Sequence, residues 1–137
     1  MPPGSPTLPI NRAESPRARV LMLVKRKEGI SQADFRRHWS QVHAPMLLRM
    51  AEGEGKAPLK YHQMHINAQT NDILTWMGRE TTEWDGVAMF EAESFGDIFA
   101  IFQSEQMRIA GVADEEEFMD RSRTQLIPLN FIPFIDK

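Results

Sequence analysis

The 137-residue chain contains no cysteine, no excess of charge of either sign and no long apolar run. Without cysteine there is no disulfide framework, no thiolate metal site and no thiol nucleophile, which fits a reducing compartment, with the cytoplasm as the default. The longest purely apolar run near the start, Val20–Val24, is far short of the roughly 20 residues that a membrane helix needs. What precedes it is not the apolar core of a signal peptide, so a soluble protein is expected. A net charge of −3, with acidic and basic residues interspersed, leaves no electrostatic footprint for nucleic acid or an anionic membrane, and neither is expected as a partner. Also missing are a glycine-rich phosphate loop, a nucleophile elbow, a dinucleotide-binding fingerprint and internal repeats.

The length suits one domain with one core. Residues 1–17 carry Pro2, Pro3, Pro6, Pro9 and Pro16 among Ser, Arg and Glu, and read as a flexible tail. Residues 18–137 then form the single domain. Ala18–Arg26 reads as a first strand whose continuous apolar run, Val20–Val24, suggests cover on both faces. Lys27, Glu28 and Gly29 turn the chain. Ser31 followed by Asp34 opens a helix with Phe35, Trp39, Val42 and Met46 as its apolar stripe. Pro45 predicts an end or kink just after His43. Leu59–Asn67 reads as a strand with Tyr61, Gln63 and His65 on one face and Lys60, His62, Met64 and Ile66 on the other.

Residues 70–84 read as a loop with a turn or two of helix around Ile73–Met77, long enough to serve as a lid. Asp85–Glu91 is a third strand. Ser94 with Asp97 opens a second helix buried through Phe95, Ile98 or Phe99, and Phe102, and ended by Gly111. Asp114 with Glu117 caps a short acidic helix that carries Phe118, with Glu115–Glu117 as a solvated face. Gln125–Ile135 is a final strand, confined by Pro128 and Pro133 to an edge or to bulges. This order, βαββαβ, predicts an α+β, ferredoxin-like protomer with a four-stranded antiparallel sheet. Helices cover one sheet face; the other is an apolar patch best covered by a second copy, so a homodimer is expected.

The candidate chemistry rests on four histidines. On an α-helix His38 and His43 lie about 140° apart, which separates them as ligands of one metal. His62 and His65, three apart on a strand, point to opposite faces, so no metal site is expected. Trp39, Phe90 and Phe118, with several methionines, form either plain core or the wall of a pocket for a flat aromatic ligand.

The run Val24–Pro45, in particular Lys25–Gly29, Phe35, Trp39 and His43-Ala44-Pro45, resembles the signature of the EthD domain family of the dimeric α/β barrel superfamily. Tyr61–His65, Trp84-Asp85-Gly86 and Asp114–Phe118 resemble its fungal branch. The resemblance implies a protomer whose sheet pairs with its twin to close a barrel, with a pocket between sheet and helices. It also implies a cofactor-free lyase of aromatic polyketide biosynthesis, decarboxylating an anthrone-type or related aryl or β-keto carboxylic acid. His43 and His65 would be the acid–base residues, with Tyr61, Gln63, His62, Trp39, Phe90 and Phe118 around the substrate. A polyketide cyclase or dehydratase and a cofactor-free monooxygenase are the alternatives within that chemistry. A dimeric aromatic-ligand-binding protein is the alternative without it.

Overall fold

The computed structural model describes residues 16–55 and 57–135, so most of the expected tail lies outside the described residues. Four strands form one antiparallel sheet in the order β2–β3–β1–β4: β1 Ala18–Val24, β2 Lys60–His65, β3 Gly86–Ala92 and β4 Gln125–Leu129. With the helical segments between β1 and β2 and between β3 and β4, this is the ferredoxin-like α+β fold. The helices are α1 Gln32–Arg37, α2 Ala44–Gly53, α3 Ala68–Trp76, α4 Phe95–Gln103 and α5 Val112–Phe118. Ser31 and Ser94 cap α1 and α4 by accepting the N–H of Asp34 and Asp97, as their spacing predicts.

The register puts Val20 and Met22 of β1, Ala88 and Phe90 of β3, and Tyr61, Gln63 and His65 of β2 on the helix-covered face. There Val20, Phe90, Phe35, Trp39, Ile98 and Phe118 are all but fully buried. β1 alternates, with Leu21 and Leu23 only half-buried on the opposite face, so its apolar run does not mean cover on both sides. Met64, Val87, Met89 and Ile127 share that opposite, open face. At its end the buried Glu91 takes a hydrogen bond from Arg17 (3.0 Å) and pairs with Arg19, whose guanidinium lies 3.7 Å over the Phe131 ring. Burial opposes ionisation of Glu91, but the Arg17 hydrogen bond and the charges of Arg19 and Lys60 outweigh it and hold the carboxyl below its usual range.

The first helical segment does not break at His43. Between α1 and α2 the chain forms one π turn, His38–His43, and Pro45 falls in the first turn of α2, where its missing N–H is tolerated. The extra residue in that turn shifts the buried stripe to Phe35, Trp39, His43 and Leu47 and leaves Val42 47% exposed. A second π turn, Met107–Gly111, runs straight into α5, so Gly111 lies inside a helix instead of ending one, and Asp114 is a helical residue and not a cap. The expected loop after β2 begins with α3, capped by the side chain of Asn67. Its apolar residues face outward, which is why no buried stripe marks it in the sequence. β4 is an edge strand carrying Pro128, and regular pairing stops at Leu129, short of Ile135.

Gly86, paired with His65, is needed for space: a Cβ there would lie 2.3 Å from the ring of Trp39. An indole locked in a dense core does not yield easily. Gly86→Ala is therefore expected to destabilise the fold by about 1–3 kcal/mol, read as a lowered midpoint in chemical denaturation. An unchanged midpoint would mean that Trp39 is loosely held.

Candidate active site

The π turn governs the site. Its i→i+5 hydrogen bonding stacks residues five apart on one helical face, so His38 and His43, which α-helical geometry would separate, converge on a single carboxylate. Asp114 Oδ2 lies 2.8 Å from His43 Nδ1 and Oδ1 lies 2.9 Å from His38 Nε2. An ionised carboxylate only accepts, so both imidazoles donate and His43 carries its proton on Nδ1, leaving Nε2 as a lone pair. Four residues on along α5, the Phe118 ring packs against His38 (4.7 Å between centroids) and His43 (5.1 Å). His43 is buried, with 4% of its surface exposed, whereas His38 reaches solvent. Burial pushes His43 below its ordinary value even though Asp114 pulls the other way, so at neutral pH it is an uncharged base.

A second cluster lies on β2. Gln63 donates to the Trp39 carbonyl (3.0 Å) and to the Tyr61 hydroxyl oxygen (2.8 Å), while its own carbonyl accepts from His65 Nε2 (3.1 Å). His65 therefore keeps its proton on Nε2 and presents Nδ1 unprotonated. Desolvation and the charge of Arg36 both push it below its ordinary value. Burial pushes the Tyr61 phenol up to about 12, against the Gln63 hydrogen bond, so it stays neutral. The His65 ring rests 4.8 Å from that of Trp39.

Of the residues singled out from the sequence, His65, Gln63, Tyr61 and Trp39 come together. His43 and Phe118 belong to the Asp114 cluster, joined to the first group by ring contacts through Phe35. Phe90 packs edge-on against Tyr61 and Phe102 in the core. His62 is exposed on the open sheet face, away from both clusters. Sequence reasoning weighs His38 only as a metal ligand and Asp114 only as a helix cap and part of the family resemblance, and misses their pairing with His43. The spacing of four between Asp114 and Phe118 was the available clue, but it becomes meaningful only once a π turn opposes it. Glu115, expected in a solvated face, is instead buried. Among the described residues no group of three or more His, Asp or Glu could hold a metal ion, and no helix is long and apolar enough to cross a membrane.

Residues 27–122 match the family model described as the EthD domain. No curated protein sequence matches the chain. Among solved structures, an ethyl tert-butyl ether D family protein from Bacillus halodurans C-125 is similar, with TM-score 0.57 and 13% identity, covering 85% of this chain and 99% of the other. A dimeric protein of unknown function and ferredoxin-like fold from Bacteroides fragilis NCTC 9343 gives TM-score 0.55 at 10% identity, over 86% of this chain and 99% of that one. A hypothetical Arabidopsis thaliana protein gives TM-score 0.53 at 9% identity, over 90% and 94%. At these identities the likeness is one of fold.

Proposed function

This chain belongs to the EthD domain family, and from that premise we propose that it is a cofactor-free lyase that decarboxylates an anthrone-type or related aryl or β-keto carboxylic acid of aromatic polyketide metabolism. The observation that carries the reading is the hydrogen bond from His43 Nδ1 to Asp114, which orients the imidazole and leaves Nε2 free to handle a proton. In the reaction, Nε2 takes the proton of the substrate's carboxyl group. The carbon–carbon bond to that group then breaks, CO2 leaves, and the electron pair passes to the neighbouring ketone oxygen as an enolate. The His43 imidazolium returns the proton to carbon. A base with a depressed pKa suits both halves of the cycle, since it takes a proton and gives it up readily. Asp114 favours the charged intermediate state of His43 without leaving its place. His38, on the other oxygen of the same carboxylate, keeps Asp114 fixed.

The test is mass spectrometry of products from a panel of aryl carboxylic and poly-β-ketone acids. Loss of CO2 is the expected result. Loss of water would point to the cyclase or dehydratase chemistry instead, gain of oxygen to a monooxygenase, and binding without turnover to a ligand-binding protein.

The functional unit in this reading is a homodimer built on the open sheet face. A four-stranded sheet that leaves Leu21, Leu23, Met64, Val87, Met89 and Ile127 incompletely covered presents the kind of apolar surface that a second copy buries. Sedimentation should give twice the mass of one chain, and Met64→Glu, at a position already 44% exposed, should shift the population to monomer. A native chain sedimenting as a monomer would remove this part of the reading.

A further inference from the structure

The reaction needs a group to receive the charge that collects on oxygen as CO2 departs, and neither His65 nor Gln63 of β2 is free to supply it. His65 spends its Nε2–H on Gln63, Gln63 spends its amide on Trp39 and Tyr61, and His65 Nδ1 offers a lone pair where a donor is required. Next to His65, however, a cleft of about 340 Å³ opens between α1, the end of β2 and the start of α3, lined by Gln32, Arg36, His65, Asn67, Ala68 and Gln69. Its polar groups are amides, one imidazole and one guanidinium, so nothing anionic among its lining residues neutralises Arg36. One terminal nitrogen of Arg36 donates to the Ile66 carbonyl, while Nε is buried and has no hydrogen-bond partner. A guanidinium is always charged, and a buried N–H without an acceptor is unfavourable. Ala68 and Gln69 are the first two residues of α3, where backbone N–H groups have no partner within the helix and the helix dipole adds positive potential.

We propose that this cleft binds the anionic oxygen of an aryl enolate or phenolate, with the Arg36 guanidinium as the group that receives it. The inference rests on the lyase reading above, which is what selects an oxyanion as the occupant. An oxyanion is favoured over a carboxylate as occupant because a cation held on the departing carboxylate would stabilise the ground state, whereas one held on the oxygen that gains charge stabilises the transition state.

The probe is 4-nitrophenol, whose colour reports its ionisation, titrated against the full-length protein. Bound dye should ionise at lower pH than free dye. Arg36→Gln should remove that displacement and weaken phenolate binding about tenfold or more, the loss of one charge-assisted hydrogen bond. Because Arg36 also holds Ile66, Gln69→Glu provides a second arm. An acid in the first turn of a helix is well tolerated, and it should repel the phenolate while leaving Arg36 untouched. Benzoate should compete more weakly than the phenolate. Dye that does not bind, or that binds with unchanged ionisation, overturns the proposal. So does binding by both variants equal to that of the native protein, or benzoate as the better ligand. If the dye ionisation is displaced as expected but no acid on the panel loses CO2, the oxyanion cleft stands and the lyase reading falls. If CO2 is lost while the dye is unaffected, the lyase reading stands and the cleft falls.

Discussion

His43→Gln is expected to lower the rate of CO2 loss by about 10²–10⁴-fold, the range associated with removing a general acid–base group. The side chain touches Asp114 through Nδ1, and its Nε2 has no hydrogen-bond partner among the described residues, so glutamine can keep the first contact and lacks the proton chemistry of the second. Because His43 is buried and shares its carboxylate with His38, the substitution should also cost about 1–3 kcal/mol of stability. Turnover is therefore compared well below the unfolding midpoint, with circular dichroism as the check on folding. The wild-type pH profile carries a second expectation. Burial lowers the His43 pKa, and the cycle needs one proton held between the substrate carboxyl group and Nε2, so kcat/KM should fall with rising pH through a limb below 6.5 as that proton is lost. A glutamine variant with undiminished rate, or a profile whose limb lies above 6.5, would remove His43 from the chemistry and leave the Asp114 cluster as a structural clasp.

The second large effect concerns Glu115 and is read in stability. It follows Asp114 on α5 but turns toward a cleft of about 220 Å³ beside Met22, Phe102 and Leu126. Burial pushes its carboxyl from 4.5 to about 7, helped by the Asp114 charge and opposed by Arg121, whose Nε is 3.9 Å away and too distant to hydrogen-bond. The fold thus prefers protonated Glu115. Its contribution is fully present below the unfolded value of 4.5 and is lost as pH rises through about 7. A separation of that size corresponds to about 3 kcal/mol. His43, pushed in the opposite direction, loses stability as pH falls below 6.5, so the wild-type curve combines two opposed slopes. Glu115→Gln removes only the first. The difference between the two proteins in urea denaturation should widen from near zero at pH 4.5 to about 3 kcal/mol in the variant's favour at pH 8. A constant difference would show that Glu115 is ionised throughout.

Much of the fold could be read from local chemistry. Ser31 with Asp34 and Ser94 with Asp97 announce two helices by the hydrogen bonds they form, and the alternation in Lys60–His65 alone separates His65 from His62. What escaped were features decided by distant partners. The π turn depends on Asp114 and Phe118, more than seventy residues away, and no local pattern records that demand. α-Helical periodicity places Val42 in the core, and the same periodicity sets His38 apart from His43. The burial of Glu115 is equally non-local, since a run of three glutamates looks alike whichever of them meets the sheet. Only the later part of α3 is legible, as a turn or two around Ile73–Met77, because Ile73, Trp76 and Met77 are exposed and its start rests on Asn67 alone.

The π turn at His38–His43 also sets the phase of everything after it. Removing one residue from that turn would restore α-helical winding and rotate α2 by about 100° relative to α1. Leu47, Met50 and Ala51 would then face away from the core whenever Phe35 and Trp39 face toward it. Pairing of the two imidazoles and burial of both helical halves are therefore one inherited trait, counted in residues as much as in their identities. A relative with both histidines but a shorter interval between the counterparts of Phe35 and Leu47 would keep the letters of the motif and lose its geometry.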